Sequence, residues 1–278
     1  MRVALVQMTS TDDPAANLAQ AAALVSRAIA GGAQFVLTPE CTNMLSSNRA
    51  HQAAHIVAEE DDPTLAALRS QAAAGGIWLL IGSLGVQSGD ADARFANRSF
   101  LIAPDGAIAA RYDKIHMFDV NVSETEIYRE SAAYRPGDKA IALQTPFGGV
   151  GMTVCYDLRF GHLHRALAQA GAQILTVPAA FNHITGAAHW EVLLRARAIE
   201  TGCFVLAPAQ TGFHPEPLSG GKGRRTFGHS LAIAPWGEVL ADGGTDMGVT
   251  FVDLDMAEVA RARARIPSLS HDRAFTQP

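Results

Sequence analysis

Three short segments of this 278-residue chain carry side chains able to do chemistry. In Gly151-Met152-Thr153-Val154-Cys155-Tyr156-Asp157-Leu158-Arg159-Phe160, an apolar strand pattern delivers a lone cysteine to the turn before a helix opening near Gly161. A thiol there lies beside backbone N–H groups and a helix N-terminus, a setting that favours the thiolate a nucleophile needs. The alternative for any free cysteine is a small buried hydrophobe, and Cys41 and Cys203 read that way. In Phe35-Val36-Leu37-Thr38-Pro39-Glu40, a buried-strand pattern stops at a proline and is followed by a carboxylate. Ligands of open α/β sheets bind at that end of a strand, although a capping or surface role is the ordinary one for such a glutamate. In Arg111-Tyr112-Asp113-Lys114-Ile115-His116-Met117-Phe118-Asp119, Lys114 falls between a strand and a loop, where a lysine by itself is usually solvated.

The elements that must position these residues follow from apolar patterning. Strand-length runs rich in Val, Ile, Leu and Phe recur at residues 3–8, 34–38, 77–84, 99–103, 150–154, 173–177, 203–207, 230–234 and 249–254. Several show little alternation, as strands buried on both faces do. Helical stretches are expected at 14–30, after Asp12 and Asp13 and before Gly31-Gly32, and at 63–74, before Gly75-Gly76. Two more are expected at 161–170 and 188–201. Hairpins are expected over residues 99–112, across Pro104-Asp105-Gly106, and over 230–240, across Pro235-Trp236-Gly237. Helical connections mixed with hairpins imply a layered α/β fold with mixed sheets. No linker, low-complexity run or fixed-period repeat divides the chain, so a single domain over 1–278 is expected.

Composition narrows the class. A hydrophobic fraction of 48% with 18% charged residues describes a chain with ample core rather than a disordered one. A formal net charge of −5 argues against general affinity for nucleic acid or anionic membranes. The densest basic stretch, Lys222, Arg224 and Arg225, reads as a Gly-rich loop, solvated or facing a substrate. Three widely spaced cysteines form neither a disulfide framework nor a CxxC pair, which points to a reducing compartment. The first apolar run is too short for a signal-peptide core, and no 18-residue apolar span occurs, so a soluble cytoplasmic protein is expected. The absence of HExxH, a His/Asp cluster or paired cysteines gives no reason to expect a metal, and no cofactor is expected.

Taken together, Thr38-Pro39-Glu40, Asp113-Lys114-Ile115-His116 and Val154-Cys155-Tyr156-Asp157-Leu158-Arg159-Phe160 resemble the carbon–nitrogen hydrolases of the nitrilase superfamily, in that family's order and rough spacing. The resemblance runs from Val3 to about Leu254. Family members place a second glutamate after the lysine segment and before a Pro-Gly; here Glu130 precedes Pro136-Gly137 and is preferred over Glu124 and Glu126. The stretch His189-Trp190-Glu191-Val192-Leu193-Leu194-Arg195-Ala196-Arg197, with Leu167-Ala168-Gln169-Ala170-Gly171-Ala172 and Phe227-Gly228-His229-Ser230, resembles the deaminated glutathione amidase branch.

The resemblance implies a four-layer αββα sandwich. It also implies a homodimer or larger even-numbered homo-oligomer, with the tail from about residue 256 in an oligomer contact. For chemistry it implies a cysteine amidase that cleaves the terminal amide of a small carboxylate-bearing substrate through a thioester, with release of ammonia. Cys155 is the nucleophile, Glu40 the base and Lys114 the oxyanion partner together with the backbone N–H of Tyr156, while Glu130 orients Lys114 or the leaving amine. Arg159 is the candidate for the substrate carboxylate, and Phe181 and Thr185 for pocket lining. Competing readings are a Cys–His enzyme drawing on His183 or His189, an omega-amidase or other amidase or carbamoylase, and a non-catalytic member. His116, His183, His189 and His229 are read as hydrogen-bonded structural groups or pocket lining.

Overall fold

A computed structural model describes residues 1–124 and 126–276. Its first sheet runs, in spatial order, Gly248–Asp253, Arg2–Gln7, Phe35–Leu37, Trp78–Gln87, Phe95–Ile102 and Ile108–Asp113, with the short strand Tyr134–Arg135 added alongside Phe95–Ile102. The second runs Val239–Asp242, Leu231–Ile233, Phe204–Ala207, Ala172–Thr176, Gly148–Met152 and Ile141–Thr145. In each sheet the three central strands are parallel and the outer pairings antiparallel, except that Tyr134–Arg135 lies parallel to Phe95–Ile102.

Strand alternation sorts the apolar residues into two cores. Val3, Leu5, Phe35, Leu37 and Leu80 point from the first sheet toward Val150, Met152, Ile174 and Leu206 of the second. Their neighbours Ala4, Val6, Val36, Leu79 and Ile81 point the other way, onto helices Pro14–Ala30 and Pro63–Gly75 through Ala21, Leu24, Val25, Leu65 and Leu68. A run apolar at every position thus buries both faces of a strand, because successive side chains leave on opposite sides. The outer face of the second sheet is covered by helices Gly161–Gln169 and His183–Thr201, through Leu163, Leu167, Trp190 and Leu194. The order is helices, sheet, sheet, helices, the expected αββα sandwich.

The helix ends match their capping chemistry. Asp13 accepts from the N–H groups of Ala15 and Ala16, and Asp62 from that of Leu65. The last long helix begins at His183, five residues before its expected start. Asn182 caps it by accepting from Ile184 and Thr185, whereas β-branched residues followed by Gly186 had read as loop. Helices Arg49–His55 and Ala257–Arg265 and the strand Ile141–Thr145 carried too little apolar periodicity to be anticipated. The basic stretch at 222–225 is not a loop: it belongs to the strand Gly221–Phe227, paired in a hairpin with Thr211–Glu216. The tail is tied to its own chain, with Arg263 donating to the carbonyls of Thr201 at 3.1 Å and Ala172 at 2.6 Å. Residues 277 and 278 of the tail lie outside the described residues.

Candidate active site

The four expected catalytic side chains meet at the carboxyl ends of the central strands, where the chain turns sharply. Glu40 follows Phe35–Leu37, and Lys114 follows Ile108–Asp113. Cys155 stands three residues past the strand Gly148–Met152, at the start of the 3-10 turn Cys155–Arg159. Cys155 holds φ at +49°, and Cys41, next to Glu40, holds +58°. Left-handed backbone at a non-glycine residue costs about 1–3 kcal/mol and persists only where surrounding structure imposes it. Here the N–H of Cys155 donates to Pro178 O at 2.9 Å, while Asp157 Oδ2 accepts from Val154 N at 2.9 Å and from the Tyr112 hydroxyl at 2.7 Å. Asp157 Oδ1 accepts from His116 N at 3.0 Å and lies 2.7 Å from His116 Nδ1. One fully buried carboxylate thus ties the nucleophile turn to the segment carrying Lys114.

Gly82 sets how closely the two sheets approach at this point. A Cβ there would stand 2.5 Å from both Pro178 Cβ and Pro39 O, and would run into the carbonyl oxygen of Thr38. Only glycine lets the strand-end loops carrying Glu40 and Cys155 come together.

Lys114 and Glu40 are almost wholly buried. Lys114 Nζ donates to Glu40 Oε1 at 2.9 Å and to Glu130 at 3.0 Å (Oε1) and 2.8 Å (Oε2). Asn97 Nδ2 bridges the two carboxylates at 2.9 and 3.2 Å, Ala180 N donates to Glu40 Oε2 at 2.8 Å, and Phe118 N donates to Glu130 Oε2 at 2.6 Å. Burial would raise the Glu40 carboxyl, but Lys114, a hydrogen bond from Cys155 and the Ala180 N–H together hold it down to about 2. Burial works against the Lys114 ammonium, yet Glu130 and Glu40 raise it well above its ordinary value. Burial and then the Glu40 charge push the Cys155 thiol well above its ordinary value. The structure thus works against the favoured thiolate expected from sequence: burial and an adjacent anion outweigh a short 3-10 turn and Lys114.

Cys155, Glu40, Lys114 and Glu130 open onto one cavity of about 540 Å³, also lined by Tyr156, Phe181 and Thr185. Its size suits a small molecule. Over residues 2–264 the sequence matches the carbon–nitrogen hydrolase family model. The chain belongs to the carbon–nitrogen hydrolase family. It is 40% identical to the deaminated glutathione amidase of Yersinia enterocolitica, over 98% of this chain and 92% of that protein. The Caenorhabditis elegans NitFhit structure superposes with a TM-score of 0.87 at 34% identity, covering 98% of this chain but only 65% of that longer one. Saccharomyces cerevisiae Nit3, a branch 10 member of the nitrilase superfamily, superposes at 0.85 with 27% identity, over 99% of this chain and 97% of its own.

This hydrolase therefore brings together seven of the eight residues singled out from sequence. The eighth, Arg159, does not line the cavity. Its guanidinium stands 5.3 Å from the Phe181 ring centroid and 5.8 Å from that of Tyr156, with His189 Nδ1 at 3.3 Å. Arg159 thus backs the two rings that face the cavity. No histidine lines the cavity among the described residues. His116 stacks on Phe160 with centroids 3.5 Å apart, and His229 bonds Asp242. Among the described residues no group of three or more His, Cys, Asp or Glu side chains is placed to hold a metal. Sequence reasoning passed over Asn97, Asp157 and the Ala180 N–H, and noted Arg224, which lines the cavity, only within a basic stretch that could face a substrate. Asn97 left no distinct trace, since it stands beside the polar residues Arg98 and Ser99 in the strand Phe95–Ile102.

Proposed function

We propose that this hydrolase is an amidase in which Cys155 is the nucleophile, Glu40 the general base and acid, Lys114 an oxyanion donor and Glu130 the residue that holds Lys114. The observation carrying this reading is the buried Glu40–Lys114–Glu130 cluster beside Cys155 in one cavity. The thiol passes its proton to Glu40 as sulfur attacks the amide carbon, and the carbonyl electrons move onto oxygen. Lys114 and the backbone N–H of Tyr156, which precedes any carbonyl its turn could offer it, receive that oxyanion. As the carbon–nitrogen bond breaks, Glu40 returns the proton to the departing nitrogen and a thioester remains. Glu40 then takes a proton from water, whose oxygen attacks the thioester, and the thiol re-forms as the acid leaves. A base already paired with a cation suits this cycle, because proton transfer and attack then proceed together and no free thiolate accumulates.

The relatives named deaminated glutathione amidase support that compound as the substrate. The amides of glutathione are all secondary, so cleaving its deaminated form releases cysteinylglycine and a dicarboxylic oxo acid. Ammonia is the product only for primary amides. The test supplies purified protein, beside Cys155→Ala, with deaminated glutathione, alpha-ketoglutaramate, simple aliphatic amides, N-carbamoyl amino acids and nitriles, following acid and amine products by mass spectrometry. Preference for deaminated glutathione with an inactive variant supports the reading. Preference for alpha-ketoglutaramate keeps the mechanism and changes the substrate, and no turnover by folded protein overturns both.

The same reading includes an even-numbered homo-oligomer, supported by Val192 at 68% and Ile199 at 54% exposure on one long helix. The tail from about residue 256 contributes to that contact. A reducing, cytoplasmic setting is supported by three free cysteines.

A further inference from the structure

Glu40 lies between Pro39 and Cys41, and Cys41 holds φ at +58°. A cysteine gains nothing from that backbone by itself, so the peptide joining Glu40 to Cys41 has to be fixed from outside. Side chains fix it at both poles. Its carbonyl oxygen accepts from Gln210 Nε2 at 2.9 Å, and its N–H donates to Ser83 Oγ at 3.0 Å. Ser83 belongs to the strand Trp78–Gln87 of the first sheet, whereas Gln210 follows the strand Phe204–Ala207 of the second. Both are fully buried, and neither lines the cavity.

Gln210 reaches Glu40 by two routes. Its side chain holds the main chain of Glu40. Its own N–H donates to Ala179 O at 2.8 Å, and the other pole of that Ala179–Ala180 peptide is the N–H that donates to Glu40 Oε2 at 2.8 Å. One glutamine thus fixes both the backbone that carries the Glu40 side chain and the peptide that receives its carboxylate. The orientation of the Gln210 amide follows from its partners. Ser10 N can only donate, at 2.9 Å to Oε1, and Glu40 O can only accept, so Nε2 faces Glu40. Ser10 Oγ, 2.7 Å from Nε2, completes the set. A buried amide with its groups paired specifies one arrangement, because any other leaves polar groups unmet away from water.

We infer that Gln210, with Ser83 at the opposite pole, is a positioning residue for the reaction: the two hold the Glu40–Cys41 peptide in its left-handed turn and so aim the Glu40 carboxylate at Lys114, beside Cys155. The inference rests on the amidase reading above, in which Glu40 carries the proton, and adds the residues that keep Glu40 aligned.

The experiment follows kcat and KM on the preferred amide, across the acid and neutral range, for wild type, Gln210→Met, Ser83→Ala, and each variant combined with Cys41→Gly. Methionine keeps the length of glutamine without its donors or acceptor. Gln210→Met lowers kcat roughly 10- to 100-fold and leaves KM within about threefold, because the base is misplaced while the cavity lining is unchanged. A displaced carboxylate gives up the Ala180 N–H or Lys114, so burial dominates and the acid limb of kcat moves toward neutrality by about one to two pH units. Glycine takes the left-handed turn without steric cost, so Cys41→Gly recovers roughly fivefold or more of the lost kcat. If Gln210→Met does not fold, Ser83→Ala decides by the same readouts. A kcat within threefold of wild type with an unmoved acid limb, or a loss that glycine does not relieve, overturns the proposal and leaves Gln210 a residue of the core. A crystal structure of Gln210→Met reads the geometry without turnover. If wild type turns over no amide while Cys41 leaves the left-handed region and Glu40 parts from Lys114 in the variant, the amidase reading falls and the positioning role stands. If wild type is active and the variant keeps both features, the positioning role falls by itself.

Discussion

Replacing Glu130 by glutamine changes one charge and no shape, and the structure dictates the consequence. The carboxylate accepts four hydrogen bonds from three donors: Lys114 Nζ on both oxygens, Asn97 Nδ2 at 3.2 Å on Oε1 and Phe118 N at 2.6 Å on Oε2. Glutamine offers one acceptor oxygen and an NH₂, so either orientation sets an N–H against Phe118 N or against Asn97, and also against Lys114. A lost hydrogen bond to a charged group costs about 1.5–3 kcal/mol. Expressed through the transition state, that is roughly a 10- to 150-fold fall in kcat, since each 1.36 kcal/mol is tenfold. KM should change little, because Glu130 acts through Lys114. The pH profile supplies the discriminating readout. Burial lowers the Lys114 pKa and Glu130 is the leading influence that raises it. Without that anion the ammonium loses its proton at lower pH, so the alkaline limb of kcat must move toward neutrality. Steady-state kinetics on the preferred amide from pH 6 to 10, beside a thermal melt, decide the matter. A kcat within twofold of wild type and an unmoved alkaline limb would refute this role for Glu130.

Three other outcomes are expected. Gly82→Ala should cost about 1–3 kcal/mol of stability by overpacking, and more than its share of activity, because its Cβ meets backbone at Thr38 and Pro39 and parts the two loops of the site; a fully active, equally stable protein in chemical denaturation would contradict it. Asp157→Asn places an NH₂ among the donors of Tyr112, Val154 and His116, and should lower both melting temperature and kcat, the latter because the Cys155 corner is no longer pinned; unaltered kcat would show that the corner holds without it. Burial lowers His164 and His214 to about 4, against 6.5 for the free side chain. The unfolded chain therefore binds more protons between those values, and each histidine should remove up to about 3 kcal/mol of stability as pH falls from about 6.5 to 4, read as a declining urea midpoint. A flat midpoint across that window, in wild type and in His214→Gln, counts against it.

The sequence by itself determined a layered α/β fold, and its resemblance to a known family added the sandwich and most of the reacting set. Runs apolar at every position, as in Val3 to Val6, can be satisfied only by strands covered on both sides, and Asp13, Asp62 and Gly76 mark helix ends through local capping that needs no distant partner. Glu40, Lys114 and Cys155 were legible because their three short motifs, each weak alone, resemble one family's pattern when taken in order. What tertiary structure decided depends on residues far apart in the chain. Burial, and then Glu40, 115 positions earlier in the chain, push the Cys155 thiol above its ordinary value. Asn97 and Asp157 matter only through the donors that converge on them from other strands. Arg159 and Arg224 are both basic residues in suggestive places, but local pattern carries no information on which guanidinium faces the cavity. The answer came from packing: Arg159 lies against the rings of Phe181 and Tyr156, whereas the hairpin Thr211–Glu216/Gly221–Phe227 turns Arg224 inward and gives it no anion of its own.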